Sequence, residues 1–544
     1  AEGDAGDIDV QVGKLTLQHG GGIFTGVGAR VFNKDGSFTF FGTDHTGRGG
    51  KLTVKATEGI FISGRISPFA ASGLFTQALK GSGDGGQLFV STPVLDIRDG
   101  GGIASDTESQ STGNAGGIRL EVGKLTLTGG ALIFSGTLGP GQGGDIKLEV
   151  GKLALDGGFI SAQTLSDGNA GDIEVRVGKL TISNGGVIAS SAGSFGPSGD
   201  LIGGSGHAGN ITVIAIDAIS IAGRDRDGFT SGLFTDAFKG SGDGGHLFVS
   251  APTVTIGDGG EIFAGTSPTS TGNAGDIRLE VGRLAITGDA DIASSTAGPG
   301  RGGDIQVQAR QIELTNSKAA ITASSSGSRN AGNIEIHADD TFRSRNSTVS
   351  TSSLHSGGGK IDLSAGQIVE LVDSQITTTV QGGTGDAGNI TIDPHYVILN
   401  NSQVIARAVE GNGGNIHIGA DVFIASPASV VDASSQKGIS GTVDIRGVVN
   451  TLSGSLYPLP QEYLRDAALV ADRCAGRRRE GQVSSFVVSG RAGMPLQPGG
   501  VLPSPLYDTG QVRAQGGMGR NDDQRVVWQM PKITPITLDG GCKR

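Results

Sequence analysis

The sequence predicts an all-β chain wound into a right-handed parallel β-helix of about 15 coils, followed by a short helical cap and a Pro/Gly-rich tail. Three observations predict it. A Gly-marked turn followed by an alternating strand is written fifteen times, from Ile8, Leu52 and Leu88 through to Ile390, Ile416 and Val443. Most steps between strand starts are 26 to 30 residues, a fixed period of the kind that marks a solenoid. Within each unit the apolar residues alternate with period two, which sends one set inward and the other to solvent.

One coil shows how the unit is built. From Gly144, Ile146, Leu148 and Val150 alternate with Lys147 and Glu149. Gly151 then breaks the run, Leu153 and Leu155 resume it, and Gly157-Gly158 makes a second corner. Phe159 to Ala162 opens a third short strand, and Asn169-Ala170-Gly171 closes the coil, so the expectation is three strands and three corners per turn. Helical repeats would instead need apolar spacings of three and four. The closing tripeptide recurs as Asp4-Ala5-Gly6, Asn114-Ala115-Gly116, Asn273-Ala274-Gly275 and Asp386-Ala387-Gly388. Asn and Asp suit such corners because they bond their own turn, and stacked coil on coil they are expected to form a polar ladder.

A larger copy overlies the coil. SGLFTQALKGSGDGGQLFVS from Ser72 returns as SGLFTDAFKGSGDGGHLFVS from Ser231, 159 residues later. Growth by block copying suits a spacer whose length matters more than it suits a single active site. The coils are expected to span residues 1–452, with insertions near 24–43 and 196–240. Residues 453–480 read as a helical cap covering the last coil, whose bare edge would otherwise expose unpaired strand groups. Residues 481–544 form the Pro/Gly-rich tail.

Composition narrows the function. Gly is 98 of 544 residues and aromatics are 5%, yet 36% is hydrophobic in regular runs, so the chain buries a long, thin core. The net charge is −11, and Lys and Arg are spread singly through the coils, which argues against nucleic acid as a partner. No apolar run approaches the ~20 residues a membrane helix needs. The chain starts inside a repeat turn, as expected of a fragment cut from a longer array. The two cysteines, Cys474 and Cys542, both lie in the tail, a scarcity that fits an exported protein. In an oxidising compartment they are expected to pair across a loop worth on the order of 4 kcal/mol.

Repeats of the form GNAGDIRLEVGKLTLTGGALI resemble the filamentous-haemagglutinin-type exoproteins of two-partner secretion. The segment RCAGRRREGQVSSFVVSGRAGMPLQPGG (Arg473 to Gly500) is similar to a C-terminal signature of that group, a Cys, a Ser-Ser-Phe and a Gly-Arg-x-Gly-x-Pro. The resemblance implies a secreted or cell-surface protein of a Gram-negative bacterium, an outer-membrane translocator as export partner, and a role in adhesion or surface coating. The family's N-terminal secretion domain has no recognisable counterpart in these residues.

The chemistry available for catalysis is sparse. Asp225 and Asp227 with Arg224 and Arg226 sit in one insertion and read as a solvated loop tip. The eight His are scattered, no Cys/His metal spacing occurs, and no nucleotide loop is present. No catalytic residue, cofactor or metal is therefore assigned. Binding is expected on the Phe-rich insertions instead, at Phe32, Phe38, Phe40, Phe41, Phe229, Phe234 and Phe238. The bland alternative is that these rings cover a sheet face. The favoured function is a non-enzymatic adhesin or stalk contacting a host or neighbouring-cell receptor or a matrix glycan. A polysaccharide-processing β-helix enzyme and a self-associating extracellular filament subunit are the alternatives. Three or more carboxylates in one groove would support the enzyme.

Overall fold

A computed structural model describes residues 3–32, 38–41, 46–67, 70–195, 201–316 and 318–451. The chain divides into two units, Ala1–Gly454 and Ser455–Arg544. The first is an all-β parallel solenoid. The expected helical cap and tail, with Cys474 and Cys542, lie outside the described residues.

Alternation in the sequence becomes inside and outside in the fold. Ile146 and Leu148 are 0% and 1% exposed, while Lys147 and Glu149 face solvent. Each coil lays its first strand directly on the equivalent strand of the next, Ile118 against Ile146 and Ile146 against Ile173, in register. The result is one continuous sheet of 17 strands, the long sheet, facing a second of 14 strands, the short sheet. Two coils contribute a split pair of strands to the long sheet, Ile361–Ala365 with Ile368–Val372 and Ile390–Asp393 with Tyr396–Asn400, which leaves fifteen rungs. Their starts, Ile8 to Val443, are those the repeat predicts. Connections between parallel strands in one sheet run right-handed, because a right-twisted strand packs back only that way. The main hydrophobic core, mostly inward Ile, Leu and Val, runs from Leu52 to Ala433 between the sheets, with a small separate cluster of Val380, Ala387 and Ala408.

Three strands per coil is correct only for those two split rungs. Elsewhere the first two strands are one, as in Ile146–Asp156. Gly151 and Lys152 both face outward, so the alternation slips by one residue and the strand bends without breaking its ladder. Hydrogen bonds to the neighbouring rungs hold the strand together where its side chains change phase. The corner between the sheets is sharper. Asp99 and Gly100 take φ of 53° and 74°, a left-handed pair that an Asx-Gly sequence accepts at low cost.

The closing corner carries the expected ladder, and it is double. Asn114 Oδ1 accepts the Gln142 backbone N–H at 2.9 Å, and Asn273 Oδ1 accepts that of Arg301 at 3.0 Å. Three residues on, Asp145 Oδ1 accepts the Asp172 N–H at 3.0 Å and Asp172 Oδ1 that of Asn210 at 2.7 Å. His207 and His246 stand in for Asx, their Nδ1 atoms accepting from Asp243 N–H at 3.0 Å and Asp276 N–H at 3.1 Å. Inside the corner, buried Ser190 and Ser294 donate to the carbonyls of Gly171 and Gly275. Stacked glycines make this approach possible, since a Cβ on Gly275 would overlap the Gly245 carbonyl of the rung beneath.

The insertions are smaller than the sequence predicts. Residues 24–27 still belong to Gly22–Val27, a regular short-sheet strand, so the excursion begins after it as the antiparallel hairpin Ala29–Phe32 with Phe38–Phe41. Residues 196–240 include two regular strands, Ile211–Ala222 and Ser231–Ala237. Among the described residues there, Ser194–Phe195 with Leu201–Ile202, and a small loop bridged by Arg224 and Thr230, leave the coil.

Candidate functional site

The predicted Phe residues separate into three environments. Phe32 and Phe38 pair across the first hairpin, whose strands also hold Phe40 and Phe41; nothing is described of those four side chains. Phe229 sits at the tip of the second loop, 66% exposed. That loop is shaped by Asp225, whose Oδ1 accepts the backbone N–H of Asp227 at 2.9 Å and of Phe229 at 2.8 Å. Asp225 is thus engaged as a turn former, and Asp227 is exposed. Phe234 is not on an insertion at all. It lies on the outward face of the short-sheet strand Ser231–Ala237, beside Phe263 of the next rung. Phe238 follows that strand, half-buried, its Cβ 2.7 Å from where a Cβ on Gly193 would stand.

Phe234 and Phe263 lie flat on the sheet. A Cβ on Gly232 would stand 2.7 Å from the Phe234 ring, and one on Gly265 would stand 2.5 Å from the Phe263 ring. Each ring covers a glycine two residues away on its own strand, and the two lean in opposite directions. For Phe234 the structure favours the sheet-covering alternative over a projecting loop.

The rings bring together carboxylates the sequence reading missed. Glu261 is the direct register partner of Gly232, beneath the Phe234 ring, and of Asp291 on the following rung. Asp236 is the register partner of Gly265, beneath the Phe263 ring. Loss of water next to the rings raises all three. Burial, and then the negative Glu261, pushes Asp236 up to about 8. Burial likewise pushes Asp291 to about 7, with Glu261 adding to it. Burial raises Glu261, opposed by the hydrogen bond from Thr230 and by the Arg224 charge. Thr230 Oγ1 reaches Glu261 Oε2 at 3.1 Å, and Arg224 reaches Asp289 at 3.2 Å. The small loop is therefore tied down over the start of this face.

These residues are 25 to 55 positions apart in sequence, so no local motif signals them. The signal was in the duplication. Shifted by 159 residues, Asp236, Glu261, Asp289 and Asp291 correspond to Gln77, Gly102, Gly130 and Leu132. The quoted copies already show Gln77 replaced by Asp236.

A shallow groove of about 610 Å³ runs along the closing corner past Asp243, His246, Asn273, Asp276, Arg301 and Asn330. Its polar atoms are largely committed to rung-to-rung bonds, as at Asn273 and His246. Among the described residues no group of three or more His, Cys, Asp and Glu is arranged to hold a metal ion. No protein-family model, no curated protein and no solved structure matches the chain. The likeness to filamentous-haemagglutinin-type exoproteins thus rests on the sequence motifs quoted above.

Proposed function

We propose that the chain is a non-enzymatic surface adhesin or structural stalk, exported and displayed by a bacterial cell. The observation that supports this is the repetition of the same bonding on successive rungs. The Asx ladders, the inner Ser bonds and the glycine stack recur along the solenoid, so its polar chemistry is spent chiefly on stiffness and length. Among the described residues, distinctive surface includes the hairpins, the paired Phe24 and Phe75, and the Phe234–Phe263 face. A receptor or matrix glycan is the expected partner, and an outer-membrane translocator is the export partner the sequence resemblance implies.

The test is display of the chain on cells, with attachment to a surface or to neighbouring cells measured. Deletion of Arg224–Thr230 reduces attachment while the coils stay folded. A longer deletion through Lys239 is unsuitable, because it removes the strand Ser231–Ala237 from the short sheet. Attachment no better than that of undisplayed cells overturns the reading.

A specific observation favours one alternative. The carboxyls of Asp236, Glu261 and Asp291 share one face, two of them titrating near neutrality, which is how a general acid is poised. A polysaccharide-processing enzyme would show turnover on a glycan panel, abolished by Glu261→Gln or Asp291→Asn.

A further inference from the structure

The two 159-residue copies act as an internal control for the Phe234–Phe263 face. Their inward residues are the same: Leu74 and Leu233, Ile103 and Ile262, Ile133 and Ile292, all buried. Their outward residues are not. The second copy carries Asp236, Glu261, Asp289 and Asp291 where the first has Gln77, Gly102, Gly130 and Leu132, and Phe263 where the first has Ala104. Folding does not require these differences, since the first copy builds the same rungs without them. The first copy in turn carries Asp106 and Phe134 where the second has Gly265 and Ala293, so what is particular to the second copy is the group Glu261, Asp289 and Asp291 beside the adjacent Phe234 and Phe263, and that group is what a contact on this face would meet.

The chemistry of the face defines the contact. Two rings lie flat on adjacent rungs about 4.8 Å apart, forming an apolar strip. Glu261 and Asp291 border one end. Asp236 borders the other, four residues along, a span of about 13 Å at the strand rise. Arg224 meets Asp289 and its charge also acts on Glu261 and Asp291, so one guanidinium faces three carboxyls and leaves this end of the face short of positive charge. The rings have stripped water from the carboxylates, so a cation arriving there restores what solvation was lost.

We propose that this face binds an extended polysaccharide of amino sugars, its ring faces lying on Phe234 and Phe263 and its ammonium groups held by Asp236, Glu261 and Asp291. A pyranose presents an apolar face of C–H bonds that matches a phenyl strip, and its amino groups lie at the rim, where the carboxylates stand. A linear repeating ligand also suits a scaffold that repeats along its axis. The proposal deepens the adhesin reading by naming the class of matrix glycan, and it rests on that reading for its biological setting.

The probe is a β-linked glucosamine hexamer, titrated calorimetrically into the purified 544-residue chain at about pH 6, where glucosamine is charged and its binding displaces the protons that Asp236 and Asp291 hold at that pH. The hexamer binds, and Glu261→Gln with Asp291→Asn weakens it about tenfold or more, with an unchanged circular dichroism spectrum. Phe234→Ser weakens it comparably. Gln77→Ala, at the matching position of the first copy, leaves it unchanged. The N-acetylated hexamer binds at least about tenfold more weakly. Absence of binding, indifference to the double variant, or equal binding of the acetylated hexamer overturns the proposal. Equal binding of a hexalysine peptide also overturns it, because charge alone would then explain the contact. In each of these cases intact cell attachment would leave the adhesin reading standing, whereas lost attachment with retained glycan binding would sink that reading alone.

Discussion

Gly275→Ala is expected to break the solenoid locally, and the same change at Gly6 is not. Both residues end the closing tripeptide, Asn273-Ala274-Gly275 and Asp4-Ala5-Gly6. A Cβ on Gly275 would overlap the Gly245 carbonyl oxygen and stand 2.6 Å from its carbon, whereas a Cβ on Gly6 meets nothing within 4 Å. Relief at Gly275 requires the two rungs to part by on the order of 1 Å, since nonbonded heavy atoms rest at about 3.5 Å. That movement stretches Asn273 N–H to Asp243 Oδ1 at 2.6 Å, Gly244 N–H to the Asn273 carbonyl at 2.9 Å, and Leu247 N–H to the Asp276 carbonyl at 2.9 Å. Three such bonds, at about 0.5–1.5 kcal/mol each and more where a buried group is left unpaired, give a loss of roughly 2–5 kcal/mol. Because each rung contacts only its neighbours, the loss is expected around rungs 240–305 rather than throughout. Hydrogen exchange on the 544-residue chain reads it directly, as lost protection at Leu247 and Ile277, with urea unfolding as the global measure. Equal protection in Gly275→Ala and Gly6→Ala would refute the idea that backbone proximity between rungs selects glycine here.

Three more expectations follow from the same geometry. Asp236 and Asp291 have folded-state values raised from 3.8 to about 8 and about 7, so the folded state holds their protons more tightly and its stability falls as pH rises from about 4 to 8. Asp236→Asn with Asp291→Asn flattens that fall by on the order of 1–2 kcal/mol after screening of these part-exposed groups, and a steeper fall in the variant contradicts it. Asn273→Ala removes the acceptor of the Arg301 N–H and costs about 1 kcal/mol in urea unfolding, whereas no measurable cost would make the ladder ornamental. Thiol titration of protein matured in an oxidising compartment finds Cys474 and Cys542 unreactive until reductant is added, and two free thiols would exclude the pairing.

The rungs were legible because their two signals, period and alternation, are local. Ile8 and Val443 open strands in the structure as in the sequence, and the Asx corners form the ladder their side chains allow. Whether Gly151 ends a strand or only bends it was not legible. The outcome depends on hydrogen bonds to Gly123 and Gly178 rungs on either side, which no single coil reveals. The same holds for Phe234, read as part of an insertion because the loop before it lengthens the spacing. The carboxylates were hidden for a related reason: only register places Glu261 beside Asp291 and beside Gly232, which the Phe234 ring covers.

The glycine stack and its ladders also fix how the rod would bear a load. Its interstrand bonds run roughly along the axis, so tension applied end to end is carried by the rungs in series, each bearing the full force. Such a rod parts one interface at a time, at the weakest, instead of shearing all its bonds together. The interfaces on either side of Leu52–Ser63 and of Ile211–Ala222 are the natural first points of failure, because the register shifts on both sides of each of these strands. A rod built this way yields at one of these rungs and leaves the stacks beyond it intact, from which the parted rungs can zip back.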